Sequence, residues 1–252
     1  MNPDVPSIQV QPAGRGVTWV TSAFSIFRAY PLNWLVSALL FVAFQVVLQF
    51  VPLIGGFIVT LLSPVLVGGI LLGCQRQAEG QDFEINALVA GFSCNTSELL
   101  MLGLLTALFE ALILVLMLVV ALVTLGGLDG VLKDLGAMEQ HMVTGASPLG
   151  LLVPVLVGLV LALPLAAALW LSPALVALNG MRAWPAMHAS LVACFANWAP
   201  FTLYGLVILP LAILASIPML LGWLVLLPML FAGIWLAWRD IFDAESAVPR
   251  ES

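Results

Sequence analysis

The sequence predicts an all-α integral membrane protein whose six transmembrane helices form three repeated units, each an amphipathic interfacial helix plus a helical hairpin. Three observations carry this. Hydrophobic residues make up 63% of the 252 and charged ones 8%, with a mean hydropathy of +1.17, whereas soluble domains carry about a quarter charged residues. The apolar segments are continuous rather than alternating. In lipid the backbone must satisfy itself, so they read as helices and not as barrel strands. The third is recurrence. Leu62-Ser63-Pro64-Val65-Leu66-Val67 returns as Leu171-Ser172-Pro173-Ala174-Leu175-Val176, and more loosely as Leu227-Pro228-Met229-Leu230-Phe231. Gly69 and Gly233 follow the first and last prolines, and Arg76, Arg182 and Arg239 follow all three.

Residues 1–16 hold Pro3, Pro6, Pro12, Gly14 and Gly16 without an apolar period and are expected to be a flexible tail. The first thirty residues contain no basic segment leading into an apolar run with a small-residue cleavage site, so no cleaved signal peptide is expected. One transmembrane domain is expected over 17–240, with repeats at about 17–76, 84–182 and 184–240, and a second flexible tail over 241–252.

Trp19, Val20, Ala23, Phe24, Phe27 and Tyr30 recur at helical steps among Thr18, Ser22, Ser25 and Arg28. That segment is too short and too polar to span, and predicts a helix lying in the interface. Pro31 opens a span over about 32–50. Pro52-Leu53-Ile54-Gly55-Gly56 turns the chain into a second span, about 57–73, antiparallel to the first. Ile85, Leu88, Val89 and Phe92 suggest a second amphipathic helix. Asn95-Thr96-Ser97-Glu98 is a predicted N-terminal cap for a third span, about 99–125.

The longest polar connection covers 126–147, with a short surface helix expected from Val131, Leu135, Met138 and Met142. Pro148 opens the fourth span, to about 171. Trp184, Met187, Leu191, Phe195 and Trp198 form the third amphipathic stripe. The fifth span is expected at about 201–215. A turn at Pro218-Met219-Leu220-Leu221-Gly222 leads to a sixth ending near Trp238.

Cations set the orientation. Arg15, Arg28, Arg76, Arg182, Arg239 and Arg250 fall on one side of this arrangement and Lys133 on the other, which puts both termini and the amphipathic helices in the cytoplasm. Cys74, Cys94 and Cys194 then lie near a reducing compartment. They form no CxxC pair and read as small apolar packing residues.

Glu110 is the one ionisable residue deep in a span. A carboxylate there marks a candidate intramembrane polar site. No cation occupies another span, so Glu110 is expected to be protonated and hydrogen-bonded inside the bundle, with Gln45 and Gln49 as partners. A polar clamp between helices is preferred over a proton or cation relay, because relays chain several ionisable groups.

Arg28, Arg76, Arg182 and Arg239 are candidate lipid-phosphate contacts, weighed against plain topological anchoring. Pro64, Pro173 and Pro228 predict kinks, read first as packing features. His141 and His188 lie on opposite sides, so no metal site is expected. No catalytic or cofactor motif is present either.

The rhythm Phe24-Ser25-Ile26-Phe27-Arg28-Ala29-Tyr30-Pro31, Pro52-Leu53-Ile54-Gly55-Gly56 and Pro64-Val65-Leu66-Val67-Gly68-Gly69-Ile70 resembles an uncharacterised proteobacterial family of six-helix inner-membrane proteins. More distantly it is similar to the membrane domain of glycerophosphodiester phosphodiesterases. The resemblance spans about 17–240 and implies a multi-pass inner-membrane protein without an assigned activity. The expectation is a non-catalytic protein organising membrane lipids or partner proteins, itself included as a homo-oligomer, with no nucleic acid. The alternative is a transporter or lipid-handling protein with a cavity between hairpins and Glu110 as its polar element.

Overall fold

The computed structural model describes residues 6–52, 54–124, 127, 148–217, 219 and 221–243. The expected surface helix around Val131 to Met142, the outer-side Lys133 and nearly all of the C-terminal tail lie outside the described residues. Within them the elements are α1 (Arg15–Ala29), α2 (Pro31–Gln49), α3 (Ile54–Ala78), α4 (Ala87–Ala90) with a 3-10 turn at Gly91–Ser93, α5 (Thr96–Thr124), α6 (Pro148–Trp170), α7 (Ser172–Asn179), α8 (Ala183–Ala196), α9 (Trp198–Ser216) and α10 (Trp223–Phe242). Six helical stretches are long and apolar enough to cross a membrane: Pro31–Gln49, Ile54–Ala78, Thr96–Thr124, Leu152–Asn179, Trp198–Ser216 and Trp223–Phe242.

Two compact units form. The larger holds residues up to 105 and from 167 onwards; the smaller holds 106–166. The smaller unit, as described, is the later part of α5 and the earlier part of α6, where Gly158 lets α6 close on Met117: a Cβ on Gly158 would stand 2.4 Å from the Met117 sulfur.

In the larger unit α3 and α10 are the most covered spans. α1 buries Trp19, Val20, Ala23 and Phe27 against α9 and α10. The helix comes so close at Gly16 that a Cβ there would lie 2.1 Å from the Pro200 carbonyl oxygen. Trp19 packs on Phe201 at 5.2 Å and edge-on to Tyr204 at 6.3 Å. Most of the stripe read as membrane-facing is therefore covered by protein, while Phe24 stays exposed. The helix also starts at Arg15, earlier than its apolar period, and the segment before it is held: Gln9 N–H donates to the Ile241 carbonyl at 2.8 Å. That observation sets residues 9–15 apart from the flexible tail expected of 1–16.

Pro31 opens α2 at its first turn, where a missing N–H costs nothing. α3 then presents Val65, Gly69 and Gly73 on one face, spaced by four. Onto it α4 and its 3-10 turn settle with backbone against backbone. The second amphipathic helix is accordingly shorter than its apolar spacing suggests. It is four residues and a tight turn, with Leu88 buried and Ile85, Val89 and Phe92 exposed.

The fourth span breaks at Leu171. Pro173 has no N–H to give, and the hydroxyl of Ser190, from α8, enters the helix ladder at the break. Leu171 N–H donates to Ser190 Oγ at 3.0 Å, and Ser190 donates onward to the Ala167 carbonyl at 2.7 Å. One hydroxyl thus replaces the direct 171-to-167 bond. α7 then closes on Gly180, whose φ of 67° is left-handed, with Met181 N–H returning to the Leu175 carbonyl at 3.2 Å. Pro64 and Pro228, by contrast, lie inside continuous helices.

Ser190 is wholly buried, so Ser190→Ala leaves the buried Leu171 N–H unpaired, the Ala167 carbonyl keeping the Cys194 thiol at 3.4 Å, and is expected to destabilise by about 2 kcal/mol. A thermal unfolding series in detergent checks this. An unchanged midpoint shows the ladder closing without the hydroxyl.

α8 turns its small residues inward. Ala183, Ala186, Ala189, Ser190 and Ala193 are buried, while Trp184, Val192, Phe195 and Trp198 (the first residue of α9) are exposed. Of the expected stripe only Met187 is buried. Small residues permit close helix approach, and in a bilayer large apolar side chains gain little by turning inward.

Candidate functional site

Where α3 and α10 end, the larger unit gathers its polar side chains into one hydrogen-bonded layer. Indole N–H groups, which need an acceptor when buried, organise much of it. Trp19 donates to Asp240 Oδ2 at 2.8 Å, Trp34 to Gln77 Oε1 at 3.2 Å, Trp235 to Gln75 Oε1 at 3.2 Å and Trp238 to Asn179 Oδ1 at 2.7 Å. Gln77 also donates to the Ile26 carbonyl at 2.9 Å, joining α3 to α1. Trp34 stacks on Phe83 at 3.9 Å.

Asp240 is the hub. Its Oδ2 accepts from Arg15 Nε at 2.9 Å as well as from Trp19. The Gln11 side-chain amide donates to the Asp240 backbone carbonyl, and the Gln11 backbone N–H donates to Asn197 Oδ1 at 2.7 Å. Asn197, fully buried, donates in turn to the carbonyls of Gln9 and Ala193. These contacts pin the N-terminal segment to the ends of α8 and α10.

Asn95 and Glu98 behave differently from a cap on α5. Asn95, at a φ of 47°, gives its amide to the carbonyls of Val176 and Met181 at 3.3 Å. Glu98 accepts the Ala183 N–H at 2.9 Å and so caps α8 instead. A carboxylate at another helix's N-terminus is favoured by the same orphan N–H groups and dipole that favour a local cap. Tyr30 donates to Asp82 at 2.7 Å, and this bond holds its hydroxyl above the usual phenol range. Burial pushes the Cys194 thiol up to about 12.

The four border arginines meet four different settings. Arg28 is exposed and lies over Phe24, 5.7 Å from the ring centre. Arg76 shares a cleft of about 230 Å³ with Asp82 and Glu84. Arg182 is exposed just before α8, beside the Ala183 N–H that Glu98 caps. Arg239 lies over Trp235 at 4.8 Å and lines a groove of about 450 Å³ with Ser22, Ser25, Gln77 and Cys74.

Glu110 belongs to the smaller unit, Gln45 and Gln49 to the larger. The Glu110 side chain is exposed on α5, a helix that protein covers little, rather than enclosed among helices. Gln49 is exposed too. Gln45 is half-buried, and its Oε1, with Ser37 Oγ and Tyr204 Oη, is buried without a hydrogen-bond partner among the described residues. No group of His, Cys, Asp and Glu among the described residues is arranged to hold a metal.

Asp240, Asn197, Gln11 and Ser190 were not singled out by spacing. Gln11 and Asn197 are separated by 186 positions and Arg15 and Asp240 by 225. The only local hint is a polar residue amid apolar neighbours, as at Ser190.

Six helices long and apolar enough to cross a membrane, with many large apolar side chains exposed, define the class: a multi-pass helical membrane protein. The chain is 28% identical over 205 residues to a "probable inner membrane protein" of Burkholderia thailandensis, covering 80% of this chain and 74% of that one. That name agrees with the resemblance to an inner-membrane family and lends nothing to a link with glycerophosphodiester phosphodiesterases. No family model matches, and no solved structure matches.

Proposed function

We propose that this is a non-catalytic, multi-pass protein of the bacterial inner membrane that organises lipid or partner proteins at its cytoplasmic face. The observation that supports this most is the exposed row of Trp184, Val192, Phe195 and Trp198 beside a polar layer whose side chains are committed to one another. A general acid or base must come within hydrogen-bond reach of a substrate proton. Here Asp240, Glu98, Asn197 and Gln77 are occupied in holding helices together. Aromatic side chains left outside at a membrane border are suited to headgroup-level lipid or to another helix. The cation bias puts that border, and both termini, in the cytoplasm. The relative's name supports the inner membrane as location.

The test is native mass spectrometry of the protein extracted gently from its own membrane. Compare the wild type with a variant carrying Trp184→Ser, Phe195→Ser and Trp198→Ser. These side chains are exposed, so the melting midpoint is expected to stay within a few degrees. The bound lipid or protein is expected to be lost. An unchanged set of bound species sinks the proposal.

A further inference from the structure

We infer that Arg239 heads a binding site for a phosphate group, with Ser22 and Ser25 on the opposite wall. This rests on the lipid-organising reading above and names the chemistry recognised. The groove runs between α1, α3 and α10 and is lined by Ser22, Ser25, Gln77, Cys74, Trp235 and Arg239, among others. None of its lining residues is acidic.

Asp240 forms a long ion pair with Arg239 and is already engaged elsewhere. Its Oδ2 accepts from Arg15 and Trp19, its side chain is 7% exposed, and its Oδ1 stands 3.9 Å from Arg239 Nε, beyond hydrogen-bond distance. Asp240 thus makes its two short charged and indole contacts to Arg15 and Trp19 and only a long ion pair, without a hydrogen bond, to Arg239, whose N–H groups it leaves available to a further anion. The guanidinium lies over the Trp235 ring, 4.8 Å from its centre, and a planar guanidinium fork can grip a phosphate through two bonds.

The opposite wall adds hydroxyls. Thr18, Thr21 and Ser25 each donate to a carbonyl of their own helix. Ser22 makes no such bond among the described residues, so its hydroxyl remains a donor beside the groove. Gln77 is locked by bonds to Trp34 and Ile26 and shapes the floor without competing.

The other arginines lack this setting. Arg76 faces Asp82 and Glu84, which repel an anion, and Arg28 and Arg182 lie exposed. The groove lies at the ends of spanning helices, the level of lipid headgroups. A phospholipid and free phosphate present the same chemistry there.

The experiment uses the full chain in nanodiscs of phosphatidylcholine with phosphatidylglycerol, followed by native mass spectrometry of retained lipid. A parallel arm in lipid-free detergent titrates inorganic phosphate. Arg239→Gln is expected to lower retention of phosphatidylglycerol at least about tenfold, and Ser22→Ala about threefold. Arg28→Gln and Arg76→Gln are expected to leave it unchanged. Arg239→Lys recovers only part, having the charge without the fork.

Arg239-dependent binding in the phosphate arm alone supports the site with a soluble ligand as its source. Wild-type retention that survives both Arg239→Gln and Ser22→Ala overturns this site while leaving the lipid-organising reading standing. A wild type that binds neither probe overturns the site, and one that also emerges from its own membrane with no lipid or protein overturns that reading too. Ser22→Ala decides the matter should the arginine variant not fold.

Discussion

Gly91→Ala is expected to destabilise the larger unit by about 3 kcal/mol, although it adds only one methyl group to a buried turn. A Cβ on Gly91 would stand 1.9 Å from the Val65 carbonyl oxygen and 3.0 Å from Gly69 N. The reciprocal Cβ on Gly69 would meet the Ala87 carbonyl at 2.4 Å and Gly91 N at 2.8 Å. Two helical backbones touch here, and a backbone has no rotamer with which to step aside. Overpacking of this kind costs on the order of 1–3 kcal/mol, and the upper end applies where backbone must move. Gly56→Ala is the control, since nothing lies within 4 Å of its added carbon. It should be neutral or slightly stabilising, because glycine within a helix is itself unfavourable. Equal melting midpoints for the two variants would contradict the close approach of α3 and the 3-10 turn.

Asp240→Ala is expected to cost about 3 kcal/mol and to release the N-terminal segment. The carboxylate is 7% exposed and accepts from Arg15 and from the buried Trp19 indole. Its removal leaves the indole without an acceptor and the guanidinium without its counter-charge. The Arg15 side chain is 38% exposed, so solvent screens much of its share, and the figure lies below that of a fully buried pair. Limited proteolysis gives the second readout, with cleavage before α1 becoming faster. Adding Arg15→Ala to Asp240→Ala should cost less than the sum of the two singles, because both break one interaction. Strict additivity would show that the pair is not coupled.

The six spans were legible because a bilayer imposes a length and a composition on any helix that crosses it. The expected second span at 57–73 lies within Ile54–Ala78, and the fifth at 201–215 within Trp198–Ser216. Pro31 marked the start of α2 for a local reason, its missing N–H, which acts wherever the rest of the chain goes. The amphipathic stripes were less informative. Periodicity identifies a face but not its neighbour, and in lipid a large apolar residue is as well placed outside as in. α1 turns its large residues to protein, whereas α8 turns most of its own away.

Of the candidate residues, the arginines were visible as cations at helix ends, yet nothing in their spacing separates Arg239 from the rest. That separation comes from Trp235, Ser22 and an already engaged Asp240, which α10 and α1 bring together. Glu110 stood out because a lone carboxylate among apolar residues is costly, and its exposure on α5 follows from which faces other helices cover. By itself the sequence determined helix number, approximate bounds and the charge bias of the two sides, all set by transfer of each segment into lipid. The tertiary structure alone decided that Glu98 caps α8, that Ser190 mends the break at Leu171, and that Asp240 ties down residues 9–15. Each of these is a short-range polar contact between residues far apart in the chain. Its energy falls off within a few ångströms, so only the packing of the helices determines whether it forms.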